Sequence, residues 1–169
     1  MDPLASNKSY WSDLLGVGDF YFDLGVVIIE ASINLKNRTG GLSSLDDVRQ
    51  YLKLNTAIGK KNEISDDDIS RAVEKLVVLG NGFKIVVIKG TRYLLSVPME
   101  LNTDHDDVFS MAEEKGFVSM EMTTRRLEWT GLRFEVIINK LLREGIVWVD
   151  SYNGTSLYYF PGLLGNTQF

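Results

Sequence analysis

Residues 65–98, SDDDISRAVEKLVVLGNGFKIVVIKGTRYLLSVP, read as one helix running directly into a hairpin. Ser65 followed by Asp66, Asp67 and Asp68 is an N-cap with a negatively charged first turn, where the helix dipole favours acids. Ile69, Ala72, Val73, Leu76 and Leu79 then recur at helical spacing. Gly80-Asn81-Gly82 stops the helix. Phe83–Ile88 and Tyr93–Val97 are β-rich runs divided by Lys89-Gly90-Thr91-Arg92, a hairpin that ends at Pro98.

Upstream, Phe20–Asn37 places Phe20, Leu24, Val27, Ile28 and Leu35 on one face of a helix, ended by Thr39-Gly40-Gly41. After a brief strand at Leu42, Ser44 caps a second helix with Asp46 and Asp47 in its first turn and Leu45, Val48 and Leu52 inward. A polar insertion, Asn55–Asn62, separates it from the third. Helix, touch of strand, two helices and a hairpin is the order of a winged helix. Downstream the order recurs: Thr103 caps Asp104–Lys115, Gly116–Val118 is the short strand, Met120–Leu127 and Gly131–Glu144 are helices, and Ile146–Asp150 pairs with Leu157–Phe160 around Asn153-Gly154.

The recurrence holds residue by residue. Gly116 and Leu127 lie 75 positions after Gly41 and Leu52, and Lys140-Leu141 and Gly145 lie 65 after Lys75-Leu76 and Gly80. The difference of 10 falls at the polar insertion of the first copy. The expected fold is mainly α with small β-hairpins (α+β), two tandem winged-helix domains at residues 1–98 and 99–169 joined near Met99–Asn102. Val97-Pro98-Met99 offers no flexible linker, so an apolar and fairly rigid contact between them is expected.

The 169 residues hold 44% hydrophobic and 24% charged side chains with 3 prolines, enough to build a core and unlike a disordered chain. No cysteine is present, which removes thiol nucleophiles, cysteine-based zinc sites and disulfides and suits a cytosolic setting. Met1–Ser6 lacks the basic and then apolar regions of a signal peptide and no apolar run is long enough to span a bilayer, so neither secretion nor membrane insertion is expected.

Chemistry is hard to find. Asp66, Asp67 and Asp68 lack the spacing of a calcium loop and read as a capped helix start. Asp104-His105-Asp106-Asp107 holds the one histidine, with no second His or Cys to complete a zinc site, and reads as a solvated helix N-terminus. Gly16-Val17-Gly18 lacks the rest of a phosphate-binding fingerprint, and no Gly-x-Ser-x-Gly turn presents a nucleophile. No catalytic residue, cofactor or metal is expected. DNA binding is the alternative use of this fold, but a net charge of −5 and three aspartates opening the first third helix oppose phosphate. Arg133, Lys140 and Arg143 on the second third helix alternate with Glu135 and Glu144, and Arg125-Arg126 and Lys60-Lys61 are the strongest basic doublets. The last hairpin differs: Trp148, Tyr152, Tyr158, Tyr159 and Phe160 crowd a two-stranded wing that cannot bury both sides, and Trp148, Asp150 and Tyr152 alternate onto one of them.

Four segments, Asp2-Pro3-Leu4-Ala5-Ser6, Leu15-Gly16-Val17-Gly18-Asp19-Phe20-Tyr21, Ser96-Val97-Pro98-Met99-Glu100-Leu101, and Gly145–Asp150 with Tyr158–Pro161, resemble the ESCRT-II core subunits of the sucrose-non-fermenting-eight (vacuolar protein sorting) family across essentially the whole chain. The resemblance implies a non-catalytic scaffold in a cytoplasmic complex that is peripheral on the endosomal membrane and sorts ubiquitinated cargo into multivesicular bodies. It implies a hetero-oligomer with a sister subunit that carries the lipid and ubiquitin contacts, and with a small tandem winged-helix subunit bound through the second winged helix. That small subunit brings a proline-rich, tyrosine-containing segment to aromatic and acidic residues. Carried onto this chain, the partner site includes Trp148 and Asp150, with Tyr152, Tyr159 and Phe160 as neighbours. No nucleic-acid partner and no direct membrane insertion follow from it. Family members carry a helical coiled-coil region before the Asp-Pro-Leu segment, so its membrane-recruitment and ESCRT-I contacts are not expected of this chain.

Overall fold

The computed structural model describes residues 17–80 and 82–164. Expectations resting on Asp2–Ser6, Leu15-Gly16, Asn81 and the Leu79 side chain lie outside the described residues. In chain order the first half holds α1 (Val17–Thr39), β1 (Leu42–Ser44), α2 (Leu45–Asn55), α3 (Ala57–Lys61), α4 (Asp66–Leu76) with a closing 3-10 turn, β2 (Lys84–Ile88) and β3 (Thr91–Leu95). The second holds α5 (Thr103–Lys115), β4 (Phe117–Val118), α6 (Met120–Leu127), α7 (Gly131–Glu144), β5 (Trp148–Tyr152), β6 (Thr155–Tyr159) and α8 (Pro161–Leu164).

Capping residues obey the repeat. Ser44 and Ser119 cap the second helices and Ser65 and Thr130 the third, each side-chain oxygen accepting a backbone N–H three residues on. Ser65 and Asp68 complete a reciprocal capping box, so the acidic run is spent on helix initiation. Both hairpins turn through a residue pair with positive φ, Lys89-Gly90 and Asn153-Gly154. The two sheets have the same antiparallel order, β1-β3-β2 and β4-β6-β5, which leaves β2 and β5 at the edges.

Three local expectations are corrected. Asn102, not Thr103, caps α5: its extended backbone lets Oδ1 accept the His105 N–H at 3.3 Å, while its own N–H donates to His105 Nδ1 at 3.1 Å. His105 is therefore not at a solvated helix end but buried, and its Nε2 has no partner among the described residues. The insertion is not all loop, because Thr56 ends α2 and at once caps α3.

Two cores result. One lies among α1, α2 and α4, with Leu24, Ile28, Val48, Leu52, Ile69, Val73 and Leu76 buried and Leu94 closing it from β3. Full burial of each such aliphatic side chain contributes about 1.5–3 kcal/mol. The other crosses the halves: Leu42, Ile88, Tyr93 and Leu95 from the opposite face of the first sheet pack with Val108, Phe109, Met111 and Ala112 of α5. Polar contacts frame this seam. Lys84 Nζ donates to the Met99 carbonyl at 2.8 Å and Lys140 Nζ to that of Glu100 at 3.2 Å, so both lysines hold the connection. Glu114 accepts from Lys89 at 2.7 Å and from Arg126 at 2.8 Å, hydrogen bonds that pull its carboxyl down to about 2. The contact between halves is thus apolar with a polar edge, and α8 adds to it by packing on β1 and α1.

Candidate partner interface

Strand register sorts the last hairpin into two faces. Trp148 opposes Tyr159, Asp150 opposes Leu157 and Tyr152 opposes Thr155, so these six side chains share one side, joined by Phe117 across from Tyr159. Val149, Tyr158, Ser151 and Ser156 share the other. Tyr158 marks the inner side, its ring 5.4 Å edge-on from buried Phe134.

The outer side is therefore the one on which Trp148, Asp150 and Tyr152 stand, as alternation requires. Trp148 is 52% exposed and Tyr152 77%, large aromatic areas left in water on an edge strand. Asp150 is exposed between them and has no ion pair among the described residues. Tyr159 is half-buried, its ring 5.5 Å from that of Phe117. Phe160 does not belong to this surface: it follows the last β6 residue, is fully buried and meets the Phe109 ring at 5.8 Å. It supports the wing from inside. Sequence reasoning missed Leu157 and Phe117, although counting back from the Asn153-Gly154 turn places Leu157 opposite Asp150.

Several of the cationic groups that a nucleic-acid reading needs are spent on neighbours. Arg49 pairs with Asp46 and, at 2.6 Å, with Asp66; Arg92 pairs with Asp67 at 2.9 Å. Arg125 pairs with Glu121 at 2.6 Å and Arg126 with Glu114. Arg133 pairs with Asp104 at 2.5 Å and lies 4.6 Å over the buried Trp129 ring. α7 shows the apolar pair Leu132 and Val136 to solvent beside Glu135 and Arg143. Among the described residues no three His, Asp or Glu side chains converge as metal ligands, and no helix is long and apolar enough to cross a membrane.

Two winged helices in tandem, with an aromatic and acidic face exposed on the second wing, define a member of the winged-helix class. Comparison with known proteins makes this specific. The model of the EAP30/Vps36 family matches residues 1–151, and the chain belongs to that family. It is 46% identical to the vacuolar-sorting protein SNF8 of Xenopus tropicalis over 96% of this chain and 63% of that one. It is 41% identical to the SNF8 of Dictyostelium discoideum over 100% of this chain and 69% of that protein. The vacuolar protein sorting-associated protein 22 homolog 1 of Arabidopsis thaliana is also 41% identical, over 95% of this chain and 65% of the plant protein. The chain thus spans roughly two thirds or less of most of these relatives. A chain in the crystal structure of the endosomal complex ESCRT-II (VPS22/VPS25/VPS36) superposes with a TM-score of 0.69 at 26% identity, covering 99% of this chain and 75% of its own.

Proposed function

We propose that this chain is a non-catalytic scaffold subunit of an ESCRT-II complex, acting in endosomal sorting of ubiquitinated cargo into multivesicular bodies by holding the other subunits. The relatives' names point to vacuolar sorting, and the superposing structure is titled as a complex of three different subunits. In this reading the first winged helix comprises residues 1–98 and the second 99–169, and the chain works in the cytoplasm at the endosomal surface without inserting into it. A sister subunit carries the lipid and ubiquitin contacts, and the small tandem winged-helix subunit docks on the second winged helix.

The observation that carries the proposal is the outer face of the last hairpin, where Trp148 and Tyr152 stand in water on either side of Asp150. Aromatic anchors around a charge are the make-up of a binding hot spot rather than of a resting surface. The test is Asp150→Lys with purified VPS25-type subunit. Reversal of a central charge is expected to weaken binding on the order of 2 kcal/mol, about thirtyfold, with melting unchanged. Wild-type affinity in the folded variant removes Asp150 from the site.

A further inference from the structure

The insertion that lengthens the first winged helix is a built element rather than slack chain. In the second copy only residues 128–130 separate α6 from α7, whereas residues 56–65 stand between α2 and α4 and hold α3, which has no counterpart. Thr56 joins α2 to α3: its Oγ1 donates to the Leu52 carbonyl at 2.8 Å and accepts the Gly59 N–H at 3.0 Å. Asn62 closes the far end, its side-chain amide donating to the Ile58 carbonyl at 2.8 Å. Gly59 is buried flush against α2. A Cβ there would overlap the Leu52 carbonyl group and lie 2.8 Å from the Lys53 nitrogen, all backbone, so this seat requires glycine.

The seat gathers charge. Residues 50–62 contain Lys53, Lys60 and Lys61 and no acid, a charge of +3 that leaves −8 on the remainder of a chain whose total is −5. All three lysines are exposed, and none has a carboxylate within ion-pairing distance among the described residues. With Arg49, Asp46 and Glu63 they line one cleft of about 670 Å³ between α2 and the segment 59–64. Arg49 already pairs with Asp46, so Glu63 is the one acid on these walls without an ion pair among the described residues. Leu54, next to Lys53, is 61% exposed and leaves an aliphatic side chain in water beside the cations.

We infer that this cleft on the first winged helix binds a short acidic segment of a partner protein, whose carboxylates meet Lys53, Lys60 and Lys61. The site is separate from the last hairpin and does not depend on what binds there. The reach of charge selects the class of partner. At physiological salt, charges are screened beyond about 8 Å, so a segment of a few residues lying in the cleft feels mainly the +3. A nucleic-acid duplex or an anionic membrane spreads its charge further and meets the −8 carried by the remainder. Lysine suits such a ligand: a compact ammonium on a flexible stem follows carboxylates of variable spacing, without the planar fork by which arginine demands one geometry. Leu54 offers an aliphatic side chain of the segment its apolar contact.

The test titrates the purified chain into a fluorescein-labelled peptide of glutamate alternating with glycine and follows anisotropy at low and at physiological salt. The peptide is expected to bind, more weakly as salt rises. Lys53→Gln, Lys60→Gln and Lys61→Gln together should weaken binding about tenfold, from roughly twofold per exposed charge pair. Lys36→Gln, Lys75→Gln and Lys115→Gln together remove the same charge from exposed lysines outside the cleft and should leave the affinity within about twofold. Gly59→Ala keeps every charge but unseats α3 and should also lose affinity; circular dichroism checks that each variant is folded, and should Gly59→Ala not fold, the two lysine sets decide. No binding of the peptide at low salt overturns the proposal. Equal losses from the two lysine sets, or an unaffected folded Gly59→Ala, reduce the patch to diffuse charge and overturn the cleft. Binding to phosphatidylserine vesicles that the cleft lysines control, with the peptide ignored, makes the patch a lipid contact and overturns the proposal as well.

Discussion

Replacing Gly162 by alanine is expected to unseat α8 from the first winged helix. A Cβ on Gly162 would overlap the Leu42 carbonyl oxygen, lie 2.9 Å from its carbon and 3.0 Å from the Thr39 carbonyl oxygen. All of these are backbone atoms, so no side chain can swing aside. Comfortable contact begins near ~3.5 Å, and relieving the overlap with the Leu42 carbonyl oxygen requires α8 to withdraw from β1 by more than about an ångström. Overpacking of this kind costs about 1–3 kcal/mol. Withdrawal also strips cover from Leu163, which is fully buried and would forfeit part of about 1.5–3 kcal/mol. The sum expected for Gly162→Ala is about 2–4 kcal/mol, a fall in melting temperature of roughly 5–12 °C for a chain of this size. Urea unfolding followed by circular dichroism measures it against Gly82→Ala, where nothing lies within 4 Å of the added carbon and a change below ~0.5 kcal/mol is expected. A Gly162→Ala protein as stable as the Gly82→Ala control would refute the wedge, and with it the view that the last turn of one winged helix completes the other.

Three further outcomes are expected. Phe160→Ala loses about 3–5 kcal/mol of stability because it empties a site against Phe109, whereas Tyr152→Ala stays within ~0.5 kcal/mol in chemical denaturation; equal effects would return Phe160 to the surface. Burial and the nearby Lys140 charge hold the His105 imidazole below its ordinary value of 6.5, so the stabilisation from keeping it neutral is complete above that value and declines as pH falls beneath it. His105→Gln keeps an N3 acceptor for the Asn102 N–H and should flatten the decline in melting temperature between about pH 7 and 5; an unchanged slope would show that His105 does not set it. Duplex DNA at micromolar protein and physiological salt should not be retarded in a gel, since the net charge is −5 and Arg49, Arg92 and Arg133 beside the third helices are already paired with acids, and a shifted band would reinstate the transcription-type reading.

What could be read from the chain divides by the range over which each signal acts. Caps and turns are local: Ser44, Ser65, the Asn153-Gly154 turn and the limits of α6 and α7 follow from neighbours a few residues away and stand where the residues placed them, whereas the first wing turn is only Lys89-Gly90, with Thr91 and Arg92 already paired in β3. Asn102 against Thr103 is the local failure, because both can cap and only the position of the buried His105 ring decides which oxygen meets the helix. Alternation likewise put Trp148, Asp150 and Tyr152 on one side of β5, and register confirms the sharing without help from the rest of the molecule. Phe160 belongs to a different range. Nothing beside it in sequence says that the chain bends inward at Pro161, and its burial depends on Phe109 some fifty residues earlier. The same limit hid α8, whose four residues carry no periodicity and whose place is set by backbone of the first winged helix. A repeat bridges the two ranges, since once both copies are aligned the surroundings of one become a statement about the other. Val86 and Ile88 join the core that α5 closes, and their counterparts at an offset of 64, Asp150 and Tyr152, keep the alternation of the strand but stand exposed, a valine and an isoleucine having given way to a carboxylate and a phenol. The repeat therefore separates what the fold dictates from what it leaves free, since the same register and the same face leave Ile88 3% exposed and its counterpart Tyr152 77% exposed.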